Sequence, residues 1–258
     1  MSQFCTHCFR DFKKFIGELT ATSAGIHAAI KYTDKAGLKS HTLDPWAEVA
    51  NEFDIKVDGL QSERVLSSAA RLNIVNVYSG FDIYLTTFRK EFFYLFQEEW
   101  KSDKSDTPFD EFRKNIALNK IETSNDIVPN QIKLINYYRL ARNAIVHPSQ
   151  DNKVSSISFF QKESDSLELV KAHYGMACAP NYFDYIDFHD VKLFARILLD
   201  ILPLFDAKLD PGNERLKDIL PVKNWSNNKE ERRQNAALGF LQNKYGISRE
   251  RSLKILAH

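Results

Sequence analysis

Apolar side chains recur at helical spacing over most of the chain. The longest such pattern runs from Ser62 to about Trp100 and predicts one long helix. Its apolar stripe consists of Ile74, Tyr78, Phe81, Leu85, Phe88, Phe92 and Phe96. Gly80 interrupts the stripe and predicts either a kink or close packing. We expect the aromatic residues to form core rather than a base-stacking platform.

The N-terminal half contains several shorter helical patterns. Residues 1–58 predict two or three helical stretches, with a break at Ser40–Pro45 and a short helix at Trp46–Phe53. The polar stretch Lys101–Pro108 predicts a loop, and Phe109–Asn119 predicts a further short helix.

Two clear helices follow in the second half. The first is Asn130–His147, which Pro148 ends because a residue before proline disfavours helical backbone. The second is Asp187–Phe205, with Asp187 as its N-cap and Pro203 as a kink or terminator.

The segment 149–186 shows no sustained helical period. It predicts two short strands, Val154–Phe160 and Leu167–Val170, or an ordered loop. The C-terminal tail returns to helical spacing in Asn227–Tyr245 and Ser248–Ala257.

Composition favours an all-α fold, because 258 residues include only nine glycines and eight prolines. A composition shift at Asp210–Asn213 suggests a boundary. We expect an N-terminal helical extension at 1–58, a helical bundle at 59–209 and a small basic helical unit at 210–258. The net charge is only +1, so any binding to nucleic acid must come from local clustering.

Cysteine usage and hydropathy predict a cytoplasmic protein with reduced thiols. The chain has three cysteines, no charged-then-apolar leader and no apolar run of membrane-spanning length. The run from Cys5 to Cys8 resembles half of a zinc site, but no second pair of ligands lies at suitable spacing. We therefore expect no metal, no other cofactor and no membrane partner.

The candidate chemistry lies at the end of the predicted helix Asn130–His147. Asn143 and His147 are four residues apart and share a face. Arg142 lies on the shoulder of the apolar stripe, about 140° from His147 around the axis. An arginine there loses hydration unless it is paired, and Asp82 on the long helix is a candidate partner.

These groups suit cleavage of RNA without a metal. His147 would remove the proton of a ribose 2′-hydroxyl, whose oxygen then attacks the adjacent phosphorus. Arg142 would stabilise the charge that develops on the phosphoryl oxygens. Asn143 would orient His147 or bind the phosphate.

The run Arg142-Asn143-Ala144-Ile145-Val146-His147 resembles the R-x4-H motif of the HEPN superfamily (higher eukaryotes and prokaryotes nucleotide-binding domains). The resemblance covers roughly residues 60–206. It implies a helical bundle with the motif late in a core helix, and commonly a homodimer in which two motifs form one cleft. Many members are ribonucleases in toxin–antitoxin, abortive-infection and antiviral systems. In many members an acidic residue on an earlier helix contacts the motif, and Asp82 is the candidate here.

We therefore expect a metal-independent endoribonuclease acting in antiviral defence or as a toxin, with an antitoxin or sensor as a candidate partner. Arg139 and Lys133 on the same helix are further candidates for RNA contact. The alternative is a non-catalytic nucleotide-binding or dimerisation module, in which Arg142 and His147 are structural. A third interpretation is a nucleic-acid-binding regulator that acts through the basic tail.

Overall fold

The computed structural model describes residues 4–40, 44–116, 127–227 and 229–257, and every regular element in these ranges is helical. The α-helices are α1 (His7–Ser40), α2 (Pro45–Asn51), α3 (Ser62–Phe96), α4 (Pro108–Asn115), α5 (Val128–Val146), α6 (Gln150–Lys162), α7 (Ser164–His173), α8 (Phe188–Asp206), α9 (Asn213–Asp218), α10 (Glu230–Tyr245) and α11 (Arg249–Ala257). Short 3₁₀ helices occupy Phe183–Tyr185, Ala207–Leu209 and Val222–Trp225. The all-α prediction is confirmed, and none of the described helices is long and apolar enough to cross a membrane.

The prediction of strands or a loop in 149–186 is wrong, because α6 and α7 occupy most of that segment. The Ser149 hydroxyl caps α6 by accepting a hydrogen bond from the Asn152 backbone N–H at 3.2 Å. Ser156 is the one described residue of α6 that is fully buried. A helix with so little buried apolar surface carries no apolar stripe, so the spacing of apolar residues could not predict it.

The N-terminal prediction of two or three helical stretches resolves into one long helix, α1, followed by the short α2. The predicted break falls between them, with residues 41–43 outside the described ranges. The Asp44 side chain caps α2 by accepting from the Ala47 backbone N–H at 2.9 Å.

Pro203 does not terminate α8, which continues to Asp206. The predicted helix Phe109–Asn119 is observed as α4, and 117–119 lie outside the described residues.

The chain divides into two compact units, each built from separate stretches of sequence. The first unit comprises 1–14, 80–123 and 199–258, and the second comprises 15–79 and 124–198. The predicted domain limits at residues 58 and 209 remain predictions.

The core of the first unit is aromatic, as the stripe on α3 predicts. Phe112 of α4 is fully buried, and its ring centroid lies 4.8 Å from that of Phe88 and 5.1 Å from that of Phe205. Trp100 and Tyr84 contribute further rings around Phe112 at 6.0 and 6.2 Å. Edge-to-face pairs of this kind add to the stabilisation that burial of their area already gives.

A buried carboxylate anchors the beginning of the chain in the first unit. Asp206 is 1% exposed and accepts hydrogen bonds from the Thr6 backbone N–H at 2.7 Å and the Thr6 hydroxyl at 2.5 Å. Burial raises the pKa of Asp206 to about 6, although the Thr6 donors and the charge of Arg10 oppose that rise. The first turn of α1 is therefore fixed to the end of α8.

The second unit is organised around α5. Its predicted stripe is buried at Leu134, Tyr138 and Ala141. The Tyr138 ring stacks on Phe194 of α8 with centroids 4.7 Å apart, and Tyr78 of α3 stacks on the same ring at 6.4 Å. This packing holds the helix whose C-terminal end carries the candidate chemistry.

Candidate functional site

The motif lies at the C-terminal end of α5, where the sequence predicts it. His147 is the C-cap, with φ −121° and ψ 75°, and its backbone N–H donates to the Asn143 carbonyl at 2.8 Å. The His147 carbonyl accepts from the Asn152 side-chain amide at 2.8 Å. These bonds and Pro148 form a tight turn into α6. The His147 side chain is exposed, and its imidazole makes no hydrogen bond to the described residues.

Arg142 is half-buried, in contrast to the exposed His147. Its guanidinium carbon lies 5.8 Å from the centroid of the Tyr78 ring, and its Nη1 donates to Asn143 Oδ1 at 3.2 Å. Its Nε is buried without a hydrogen-bond partner. The structure therefore brings Arg142 and Asn143 into contact, and His147 reaches neither of them through its side chain.

Two further polar positions of α5 lie in the sector between Arg142 and His147. At about 100° per residue, Arg139 and Asn143 both project into this sector. Arg139 is half-buried, and its Nε is also buried without a hydrogen-bond partner. No carboxylate among the described residues of the second unit forms an ion pair with Arg139 or Arg142. Two arginines and an exposed imidazole thus project from one side of α5.

The other two predicted residues have separate surroundings. Lys133 forms an ion pair with Glu163 at 2.8 Å and donates to the Ser166 hydroxyl at 2.8 Å, so it connects α5 to the α6–α7 junction. Asp82 is half-buried and belongs to the first unit, whereas Arg142 belongs to the second. The pairing of Asp82 with Arg142 and the RNA contact of Lys133 both stay predictions.

A buried carboxylate that sequence reasoning missed fixes α5 to the start of α8. Asp190 is 0% exposed and accepts from the Tyr138 hydroxyl at 3.0 Å, from the Asn181 backbone N–H at 2.9 Å and from the Asn181 side-chain amide at 2.8 Å. A fourth bond comes from the Asp187 backbone N–H at 2.9 Å. Burial raises the pKa of Asp190 well above its ordinary value, against the effect of these donors.

The spacing of Asp187 and Asp190 in the sequence could have predicted that Asp190 takes part in capping α8. Asp187 caps α8 by accepting from the His189 backbone N–H at 2.7 Å, as predicted. Asp190 three residues later returns a bond to the Asp187 backbone N–H. This is the reciprocal geometry of a capping box, which the pattern Asp-x-x-Asp permits. The additional bond to Tyr138 depends on tertiary packing and has no local signal.

A cavity of about 370 Å³ borders the motif on its other side. Its lining includes Ala144 and Ile145 of the motif, together with the cationic side chains of Arg71 and Lys153. Arg142 and His147 do not line it. Both cations are already engaged, because Arg71 donates to the Phe183 carbonyl at 3.2 Å and Lys153 pairs with Asp184 at 2.9 Å. The candidate chemistry therefore lies outside this cavity, with His147 exposed and Arg142 half-buried.

The basic tail is largely neutralised within the first unit. Arg251 makes two hydrogen bonds to the Asp210 carboxylate at 2.6 and 2.8 Å, and Lys254 pairs with Glu250 at 2.8 Å. Lys244 lies 3.2 Å from Glu91. These contacts favour a structural, solvated face over a surface that binds nucleic acid.

No family model, no curated protein and no solved structure matches this chain. The chemistry of the motif and the HEPN resemblance, which stays a prediction, are therefore the grounds for a function.

Proposed function

We propose that this protein is a metal-independent endoribonuclease of the HEPN type, with Arg142, Asn143 and His147 as its reacting groups. The observation that carries the proposal is the face of α5 that presents Arg139 and Arg142 without carboxylate partners in their unit, next to the exposed His147. Guanidinium groups match phosphate geometry and keep their charge, so they suit an anionic ligand.

The reaction assigns one task to each side chain. His147 takes the proton from a ribose 2′-hydroxyl, and the resulting oxygen forms a bond to the adjacent phosphorus while the bond to the 5′-oxygen breaks and that oxygen takes a proton from water. Arg142 stabilises the charge on the phosphoryl oxygens, and its contact with Asn143 at 3.2 Å orients the guanidinium. Arg139 lies in the same sector of the helix and contacts a neighbouring phosphate.

The biological setting follows from the resemblance alone. A homodimer would bring two exposed motifs to one cleft, which suits a site that lies on an open helix face. Cleavage of RNA by such a dimer serves antiviral defence or toxin action in the cytoplasm, under the control of an antitoxin or sensor.

The proposal is tested by RNA cleavage in the presence of EDTA. We expect products that end in a 2′,3′-cyclic phosphate or its hydrolysis product, and no cleavage where the 2′-hydroxyl is replaced by hydrogen. His147→Ala should reduce the rate by at least about 100-fold, the lower range for a general acid or base. Intact RNA with the wild-type protein, or equal cleavage by His147→Ala, would overturn the proposal.

Two matched controls come from the same unit. His173 also lies in the last turn of a helix and is exposed, so His173→Ala should leave cleavage unchanged. Arg196 lies 5.0 Å above the ring of Tyr174, much as Arg142 lies above Tyr78. Arg196→Ala should therefore reproduce the loss of a cation–π contact without the loss of activity that we expect for Arg142→Ala.

The alternative function is a non-catalytic nucleotide-binding or dimerisation module. The observation that favours it is the engagement of Arg142 by Asn143 and Tyr78, while the His147 imidazole makes no hydrogen bond to the arginine or the asparagine. In that case RNA or nucleotides bind without being cut, and His147→Ala leaves the affinity unchanged.

A further inference from the structure

Two adjacent potential metal ligands and a third that is distant in the sequence meet in the first unit. His7 and Cys8 begin α1, and Glu91 lies in the last third of α3. Each offers one ligand atom, and these atoms all lie within 4.8 Å of one another. We propose that His7, Cys8 and Glu91 bind a zinc ion whose fourth position is open to water. This site is independent of the proposed nuclease chemistry.

The distances are close to those of a tetrahedral zinc site. Zinc bonds to sulfur, nitrogen and oxygen place neighbouring ligand atoms about 3.4–3.6 Å apart. The Nε2 atom of His7 and the Sγ atom of Cys8 are already 3.9 Å apart. The remaining atoms, at most 4.8 Å apart, need to approach by about 1.4 Å or less, which rotations of these side chains provide.

The surroundings of the ligands favour zinc over other common ions. Cys8 and Glu91 are 4% and 6% exposed, and His7 is half-buried. The Nε2 atom of His7 faces the weak thiol donor of Cys8, and its Nδ1 atom has no hydrogen-bond partner, so the ring makes no strong hydrogen bond that a metal would have to displace. A set of one thiolate, one imidazole and one carboxylate suits zinc, whereas magnesium and calcium prefer oxygen alone.

The present contacts of Glu91 leave one oxygen for a metal. The Tyr245 hydroxyl donates to Oε1 at 2.8 Å, and Lys244 Nζ lies 3.2 Å from the same atom. Both contacts use Oε1, so Oε2 is the oxygen that we assign to zinc. The bond from Tyr245 then orients the ligating carboxylate, as outer partners do in metal sites.

A cavity gives solvent access to the cluster. It has a volume of about 560 Å³, and His7 and Lys244 are among its lining residues. An ion can therefore reach the site, and a water molecule can occupy its fourth position. The sequence predicts no metal because no second pair of ligands lies near Cys5 and Cys8, whereas the third ligand of this cluster comes from a helix far along the chain.

The experiment titrates the full, metal-stripped chain with Co²⁺, a coloured substitute for Zn²⁺, and measures Zn²⁺ affinity by calorimetry. We expect one ion per chain, with strong visible bands of tetrahedral Co²⁺ and a thiolate charge-transfer band. Cys8→Ser should remove the charge-transfer band, and Glu91→Gln should keep it while weakening affinity at least tenfold. Cys178→Ser, which changes an exposed cysteine of the other unit, should alter neither the charge-transfer band nor the metal affinity.

Because Cys8 and Glu91 are buried, the half-buried His7 provides a milder variant, His7→Ala, and circular dichroism checks that each variant folds. Octahedral Co²⁺ bands in the wild type, or unchanged affinity in folded His7→Ala, would overturn the site. RNA cleavage in EDTA tests the nuclease proposal separately, so either proposal can fail while the other stands.

Discussion

Replacing Asp206 with asparagine is expected to stabilise the protein at neutral pH. The carboxylate is 1% exposed, and burial favours its neutral form. Asparagine has the same shape and no charge. It can accept the Thr6 backbone N–H, now 2.7 Å from Oδ2, and donate to the Thr6 hydroxyl, now 2.5 Å from Oδ1. The bond from the backbone therefore survives, the bond with the hydroxyl reverses its direction, and the cost of burying a charge disappears.

The magnitude follows from the difference between the folded and unfolded pKa of Asp206, about 6 against 3.8. Each pKa unit corresponds to about 1.4 kcal/mol, so the full effect is about 3 kcal/mol. Between pH 3.8 and about 6 the folded state retains a proton that the unfolded chain has lost. The contribution of Asp206 to stability therefore falls as the pH rises through this window and is constant above it.

The assay is equilibrium urea unfolding of wild type and Asp206→Asn at several pH values, in EDTA so that bound metal does not contribute. The difference in unfolding free energy should be small at acidic pH and should grow to about 3 kcal/mol in favour of the variant at neutral pH. Asp200→Asn, an exposed position on the same helix, serves as the control. A difference that does not change with pH, or that favours the wild type at neutral pH, would refute the reasoning.

Three other substitutions test contacts within the individual units. Tyr138→Phe should destabilise the protein by about 1–2 kcal/mol in urea unfolding, because Asp190 loses one of its hydrogen-bond donors; a change near zero would contradict this. Gly246→Ala should cost about 1–2 kcal/mol, because φ is +62° and a Cβ would lie 3.1 Å from the Cys5 carbonyl oxygen. Gly239→Ala, within α10 and with open space around a new Cβ, should instead stabilise by up to about 1 kcal/mol, and effects of the same sign would contradict the argument.

The sequence predicted those helices whose apolar stripe is strong. The long helix α3 and its aromatic core were readable because burial repeats at helical spacing. The same rule failed for α6, which forms although Ser156 is its one fully buried described residue. Its cap at Ser149 was a local signal, but without a stripe that signal alone did not distinguish a helix from a loop.

In the candidate site, too, features set by neighbouring residues were predictable from the sequence, and contacts between helices were not. The position of His147 at a helix end was predictable, because Pro148 follows it. The contact between Arg142 and Tyr78 joins two helices, so spacing within one helix could not reveal it. The cluster of His7, Cys8 and Glu91 was hidden for the same reason.

The geometry of α5 also predicts that activity and stability can be separated at His147. The helix is held by buried residues one to three turns earlier, including Tyr138 and Ala141. The imidazole is exposed and makes no hydrogen bond to the described residues. Exposed substitutions without such contacts usually change stability by less than about 0.5 kcal/mol.

We therefore expect His147→Ala to unfold at the same urea concentration as the wild type, even where it no longer cleaves RNA. Asn152→Ala, which removes the amide that bonds the His147 carbonyl at 2.8 Å, should instead weaken the turn between α5 and α6. A large loss of stability in His147→Ala would assign the imidazole a structural role. It would thereby favour the non-catalytic module over the nuclease.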